Sequence, residues 1–162
     1  MTGAERKQKI ESYGQAPEML EEALKQFPKE MWQFKPAPNR WSVHEIVIHL
    51  TDSEVNSYAR ARRFIAEPGQ TVMAYDQDAW AAKLDYHAQS TDEAIALFRL
   101  LRKSTYNLIR SLPDAAWSHT VQHPEQGTMT FDRWLDIYDR HTPGHISQMQ
   151  KNLEAWKTTQ KK

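Results

Sequence analysis

Apolar residues recur every three or four positions along four long segments, which is the spacing of one face of an α-helix. We expect a break in the first segment, because Gly14 and Pro17 both disfavour a helix interior. Long amphipathic helices of similar length predict an all-α protein, a four-helix bundle whose 162 residues form a single domain, 1–162. The four segments cover residues 4–27, 42–68, 91–112 and 130–157.

Side chains that cap helix N-termini mark where these helices begin. Ser42 and Glu45 have the spacing of a capping box, in which each side chain accepts the backbone N–H of the other residue. Thr91 and Thr130 are expected to cap the third and fourth long helices in the same way as Ser42. Between the long helices, a short helix is predicted over 76–84, and a loop or small hairpin is predicted over 118–130.

Two histidines interrupt the apolar stripe of the last helix. His141 and His145 are four residues apart, so their side chains lie one turn apart on the same face. A third histidine, His49, lies beside the buried face of the second helix. Three neutral imidazoles leave at least one position open on a divalent cation, which is typical of catalytic rather than structural sites. Histidines alone do not choose among Zn²⁺, Ni²⁺ and Fe²⁺.

Two acidic residues flank His49 on its helix. Glu45 lies four residues before it and Asp52 three residues after it, so both are expected to face the same cleft. Either carboxylate is a candidate to orient a ligand imidazole or to accept a proton near a metal-bound water. The capping box also explains Glu45, and a solvated helix position also explains Asp52. Gln148, three residues after His145, is expected to hydrogen-bond inside the site.

Composition excludes several classes of function. Lys and Arg number 21 and so do Asp and Glu, so no net positive charge favours nucleic acid. The arginines at 60, 62 and 63 are interpreted as a solvated helix face. The absence of cysteine excludes disulfides and thiolate ligands. A polar N-terminus and the lack of a long apolar stretch predict a cytoplasmic protein with no membrane partner. Four histidines are placed at the surface by default, although either of the last two could approach the mouth of the bundle: His44, His87, His119 and His123.

Two short motifs together carry a family resemblance. They read RWSVHEIVIHL at 40–50, with Asp52 and Glu54 just after, and HTPGHISQ at 141–148. In this order and separation they resemble the DinB/YfiT-like metalloprotein superfamily over nearly the whole chain. The resemblance implies an up-down-down-up four-helix bundle with one long crossover, and many members are homodimers. It also implies that one divalent ion, Ni²⁺ or Zn²⁺ first and Fe²⁺ or Mn²⁺ next, is held by His49, His141 and His145.

The resemblance favours a metalloenzyme that acts on a small molecule. The first hypothesis is transfer or isomerisation through a metal-activated low-molecular-weight thiol, and the alternative is hydrolysis by a metal-bound water. A competing class is a non-catalytic bundle that binds a metal or small ligand, and a third is a structural bundle whose histidines only hydrogen-bond to each other. The candidate pocket walls are aromatic: Trp41, Tyr75, Trp80, Tyr86 and Tyr138.

Overall fold

Four long α-helices make up most of the computed structural model, which describes residues 1–161. The predicted all-α bundle is therefore confirmed, and the segment 118–130 contains a small antiparallel hairpin. No helix within residues 1–161 has both the length and the apolar character needed to cross a membrane. The elements are α1 (Gly3–Leu24), α2 (Val43–Ala66), α3 (Gln77–Lys83), α4 (Thr91–Ile109), β1 (Thr120–His123), β2 (Gly127–Thr130) and α5 (Phe131–Gln160).

Ion pairs show that α1 and α5 run in the same direction. Arg6 pairs with Asp132 at 2.7 Å, and Lys9, one turn later on α1, pairs with Asp136, one turn later on α5. Later residues of one helix therefore meet later residues of the other. The first and last helices of the bundle lie side by side and parallel.

The middle pair, α2 and α4, is also parallel. Thr51 donates to the carbonyl of Ala94 at 2.9 Å, and Arg62, further along α2, donates to Ser104 at 3.1 Å, further along α4. The connection 67–90 must therefore return the chain to the end where α2 began. This is the long crossover that the family resemblance implied.

Contacts between α2 and α5 complete the topology. Asn152, near the end of α5, donates to the carbonyl of Trp41 just before α2. Arg60, near the end of α2, donates to the hydroxyl of Tyr138 near the start of α5. The two helices are antiparallel, so the predicted up-down-down-up arrangement is confirmed.

Two of the three predicted N-caps are confirmed. The hydroxyl of Ser42 accepts the N–H of Glu45 and the carboxylate of Glu45 accepts the N–H of Ser42, so the capping box forms. Thr130 caps α5. The assignment of Thr91 is wrong, because Ser90 caps α4. The Ser90 hydroxyl, one residue earlier, is the group that reaches the third free N–H of that helix.

The predicted break in α1 is also wrong, since the helix continues through Gly14 and Pro17. Pro17 has no N–H to donate to the carbonyl of Tyr13, four residues earlier. The side chain of Arg102 on α4 supplies the replacement, with its Nη1 donating to that carbonyl at 3.5 Å. The missing donor is thus replaced from a neighbouring helix, and α1 passes Pro17 without ending.

Gly14 allows α1 and α4 to approach closely. A Cβ atom added at this position would lie 2.6 Å from Cδ2 of the Tyr106 ring. We predict that Gly14→Ala lowers the free energy of unfolding by about 1 kcal/mol, because overpacking outweighs the gain in helix propensity. In a Tyr106→Ala background the same change should raise stability by about 0.5–1 kcal/mol. Urea unfolding of the four proteins measures both effects, and an effect of the same sign in both backgrounds would contradict the clash.

A buried polar layer divides the apolar core between Leu50 and Ala61 of α2. Its centre is an ion pair between Arg102 and Glu54, 2.6 Å apart and at most 1% exposed. Burial raises the pKa of Glu54, and the positive charge of Arg102 opposes that rise. Two further contacts bring in the remaining long helices: the Tyr13 hydroxyl of α1 donates to Glu54, and Arg102 donates to the carbonyl of Tyr138 of α5.

Candidate metal centre

Three imidazole nitrogens converge between α2 and α5. The Nε2 atom of His141 lies 3.3 Å from Nε2 of His49 and 3.2 Å from Nε2 of His145. One candidate ligand atom from each residue lies within 4.8 Å of the others. Bonds of about 2.0–2.1 Å from a tetrahedral ion would place its ligand nitrogens about 3.3–3.4 Å apart. The spacing and the donor type therefore fit one transition-metal ion.

Burial keeps all three imidazoles neutral at ordinary pH. Burial, together with a smaller contribution from the nearby His145, lowers the pKa of His49 to about 3. Burial also places the pKa of His141 well below its usual value and lowers the pKa of His145. A neutral imidazole is the form that binds a metal, because one ring nitrogen then keeps its lone pair. The site is thus held in the protonation state that metal binding requires.

Groups around the cluster orient the rings. The amide oxygen of Gln148 lies 3.1 Å from Nδ1 of His145 and accepts its hydrogen. The neutral ring of His145 therefore keeps its lone pair on Nε2, the atom that faces the cluster. The expectation that Gln148 hydrogen-bonds inside the site is confirmed. The Trp41 ring covers the other side, with its centroid 4.5 Å from that of His49 and 6.3 Å from that of His145. Nδ1 of His49 is buried and has no hydrogen-bond partner within residues 1–161.

Both carboxylate oxygens of Glu45 already have partners. Oε2 accepts the N–H of Ser42 at 2.8 Å, and Oε1 lies 2.8 Å from Nζ of Lys35 and 3.3 Å from Nε2 of His87. Burial favours a higher pKa for Glu45, but the hydrogen bonds from Lys35 and Ser42 outweigh it and lower the pKa. Glu45 is therefore an ionised capping residue, and it makes no hydrogen bond to the three histidines in the part of the chain described.

Asp52 has a different environment. Its Oδ2 accepts the hydroxyl hydrogen of Tyr86 at 2.6 Å, and burial raises its pKa. Its carboxylate borders a second cavity with Thr51 and Gln89, apart from the one beside His141. Among residues 1–161 it makes no hydrogen bond to His49, so the structure does not bring Asp52 and the imidazoles into direct contact.

A cavity of about 440 Å³ opens beside His141. Burial raises the pKa of Tyr138, in its wall, to about 12, so this phenol keeps its proton at neutral pH. Of the five aromatic residues predicted as pocket walls, two line this cavity, Tyr75 and Tyr138. The other three do not line it: Trp41, Trp80 and Tyr86. The residues that line this cavity include Ser53, Arg60, Tyr75, His123, Tyr138 and His141.

Sequence reasoning missed two of these cavity residues. Arg60 was assigned to a solvated face, which is wrong, because it is half-buried and lines the cavity. A signal existed: Arg60 lies three turns after His49, a net rotation of about 20° on a helix. The default surface position of His123 is wrong and the alternative near the bundle holds, since the side chain is only 5% exposed where the hairpin folds it towards the bundle. No local pattern around His123 indicates this.

The fold and the site together define a four-helix bundle protein with a partly buried three-histidine cluster beside a polar cavity. The chain belongs to the DinB superfamily, whose family model matches residues 12–149. The resemblance drawn from the two motifs is thereby confirmed.

Relatives and a solved structure agree with this assignment. A protein of Oceanobacillus iheyensis, provisionally named a metal-dependent hydrolase, is 26% identical over 133 residues, covering 82% of this chain and 77% of the relative. A Bacillus mycoides protein with the same provisional name is 27% identical over 147 residues, covering 89% and 84%. The structure of YfiT from Bacillus subtilis superposes with a TM-score of 0.87 at 24% identity, covering 94% of this chain and 87% of YfiT. That likeness shows the shared fold.

Proposed function

We propose that this protein is a divalent-metal-dependent hydrolase of a small-molecule substrate. The observation that carries the proposal is the convergence of three neutral imidazole Nε2 atoms beside a cavity of about 440 Å³. The names of the relatives support hydrolysis as the reaction class. A purely structural cluster is less favourable, because both contacts share the single Nε2 of His141, so at most one of them can be a well-formed hydrogen bond.

His49, His141 and His145 would hold the ion, with Zn²⁺ or Ni²⁺ first and Fe²⁺ or Mn²⁺ as further options. When bound, the ion would supply Lewis-acid chemistry, lowering the pKa of a coordinated water and polarising the bond to be cleaved. The protein keeps the imidazoles neutral by burial. Gln148 fixes the ring of His145, and Trp41 shields the cluster from solvent on one side.

Metal loading followed by a substrate screen tests this function. The untagged protein is stripped with a chelator, reloaded with Zn²⁺ or Ni²⁺, and assayed with chromogenic esters and amides. Turnover that needs the metal and disappears with the chelator supports a hydrolase. Turnover only when a low-molecular-weight thiol and an electrophile are added would instead favour the thiol-dependent reaction, which stays a prediction. Metal binding without turnover of any substrate would favour the binding module.

We predict that Asp52 accepts a proton through one bridging water, because it borders a separate cavity and makes no direct contact with the imidazoles. Asp52→Asn should then lower turnover by roughly 10²–10⁴ while the metal remains bound. Asp52 is the better of the two predicted proton acceptors, because its pKa is raised and, within residues 1–161, only one of its oxygens accepts a hydrogen bond. The readouts are kcat on the substrate from the screen and the metal content of the same sample.

Glu45→Gln is the matched control for this prediction. It should keep turnover within a few fold and lower stability by about 1 kcal/mol through the weakened capping box. Loss of turnover in Glu45→Gln with none in Asp52→Asn would reverse the assignment. Unchanged turnover in both variants would remove both carboxylates from the mechanism.

Homodimer formation and a cytoplasmic location stay predictions from the family and the sequence. Light scattering on the purified, metal-loaded protein measures the first directly. A mass near twice the 19.0 kDa of one chain would confirm the dimer.

A further inference from the structure

The wall of the cavity beside His141 carries a positive charge without an ion-pair partner. Arg60 is half-buried, and it pairs with no carboxylate among residues 1–161. Its Nε and Nη2 donate to the carbonyl of Met73 and its Nη1 donates to the hydroxyl of Tyr138. A guanidinium has five N–H donors, so two remain for another acceptor. Both groups that hold Arg60 are neutral, and they position its charge without neutralising it.

Two more donors line the same cavity. Nδ1 of His123 accepts the N–H of Glu125 at 3.2 Å, so the neutral ring carries its hydrogen on Nε2. The Tyr138 oxygen accepts from Arg60, which leaves its own hydrogen to donate elsewhere. Arg60, His123 and Tyr138 thus come from α2, the hairpin and α5, and each offers N–H or O–H groups. Their shared preference is for an acceptor, and the charge of Arg60 favours an anion.

The acidic residues that border the cavity do not neutralise this wall. Asp76 and Glu125 are exposed, so solvent and salt screen their charges. The Oδ1 atom of Asp76 also accepts two N–H groups from the first turn of α3. Neither carboxylate forms an ion pair with Arg60 within the described chain.

We propose that Arg60, with His123 and Tyr138, binds an acidic group of the substrate, such as a carboxylate or phosphonate-like group, beside the three-histidine centre. This proposal rests on the proposed metal function and deepens it, because it makes the substrate an anionic small molecule. The reacting bond of the substrate would lie at the histidine cluster, and the acidic group of the substrate would lie at Arg60. The relatives' names specify no such group.

Matched metal-binding probes test the subsite without an enzymatic assay. The probes are aliphatic hydroxamic acids with tails of two to four methylene groups, ending in a carboxylate, a phosphonate or a neutral amide. The hydroxamate binds the ion, and the absorption bands of Co²⁺-loaded protein report the dissociation constant. We expect the best anionic probe to bind roughly tenfold or more tightly than its amide counterpart, as for hydrogen bonds to charged groups.

Two arginine variants on α2 show whether the preference comes from Arg60 or from the metal's own charge. Arg60→Gln should abolish the preference for the anionic probe. Arg63→Gln, which removes an exposed arginine paired with Glu67 outside the cavity, should keep it. Equal binding of all three probes to the wild type, or an unchanged preference in Arg60→Gln, would overturn the subsite.

The same experiment separates the two proposals. If the stripped protein takes up Co²⁺ but does not discriminate among the probes, the anion subsite fails and the metal site stands. If no Co²⁺ bands appear and the stripped protein takes up neither Zn²⁺ nor Ni²⁺, the metal function fails, and the subsite beside a metal fails with it.

Discussion

Replacing His141 by Ala is expected to abolish stoichiometric binding of a divalent transition metal. The Nε2 atom of His141 is within 3.3 Å of the Nε2 atoms of both other histidines, so its loss leaves two ligands. Loss of a group that merely orients a ligand already costs about 10–100-fold in metal affinity, so loss of a ligand should exceed ~100-fold. Mass spectrometric metal analysis of desalted protein gives the stoichiometry, and competition with a chromogenic chelator gives the affinity.

A second readout is thermal stability. A ligand that binds only the folded state, present at a free concentration of 100 times its dissociation constant, stabilises that state by about 2.7 kcal/mol. Added Zn²⁺ should therefore raise the Tm of the wild type and leave that of His141→Ala unchanged. His87→Gln is the control, since its ring lies near Glu45 and outside the cluster, and it should bind about one equivalent. Equal metal content in His141→Ala and His87→Gln would contradict the site.

Replacing Arg102 by Met is expected to lower the free energy of unfolding by about 3–5 kcal/mol, which is the usual cost of removing one partner of a buried ion pair. The Glu54 carboxylate would remain in the core without its positive partner, 1% exposed. The carbonyls of Tyr13 and Tyr138 would also lose a donor. The free energy of unfolding from urea titration, with the slope compared between variants, measures this effect.

Arg99→Met, one turn earlier on α4, is the matched control. Arg99 pairs with Glu21 at the surface and is 40% exposed, so its loss should cost no more than about 1 kcal/mol. The double variant Arg102→Met/Glu54→Gln should lose less than the two single losses added together, because no unpaired charge remains. A cost for Arg102→Met no larger than that for Arg99→Met would contradict the role of the buried pair.

The local patterns predicted those features that depend on neighbours along the chain. The capping box at Ser42 forms because both partners lie within one helical turn. His141 and His145 share a face because four residues make about one turn. Helical periodicity predicted the four-helix bundle, whereas its up-down-down-up order was implied only by the family resemblance. The capping rule predicted the wrong residue where two hydroxyl side chains are adjacent, because Ser90 rather than Thr91 caps α4.

Spacing within a few turns was enough to predict the four long helices, two of their N-caps and the shared face of His141 and His145, because all of these depend on neighbours along the chain. Which helix faces meet was settled by packing between distant segments. Packing places His49 beside the two histidines of α5, supplies a donor from Arg102 where Pro17 has none, and directs Arg60 and His123 towards one cavity. Periodicity states which side chains share a face, whereas the burial and pairing of a charge depend on partners far away in the chain.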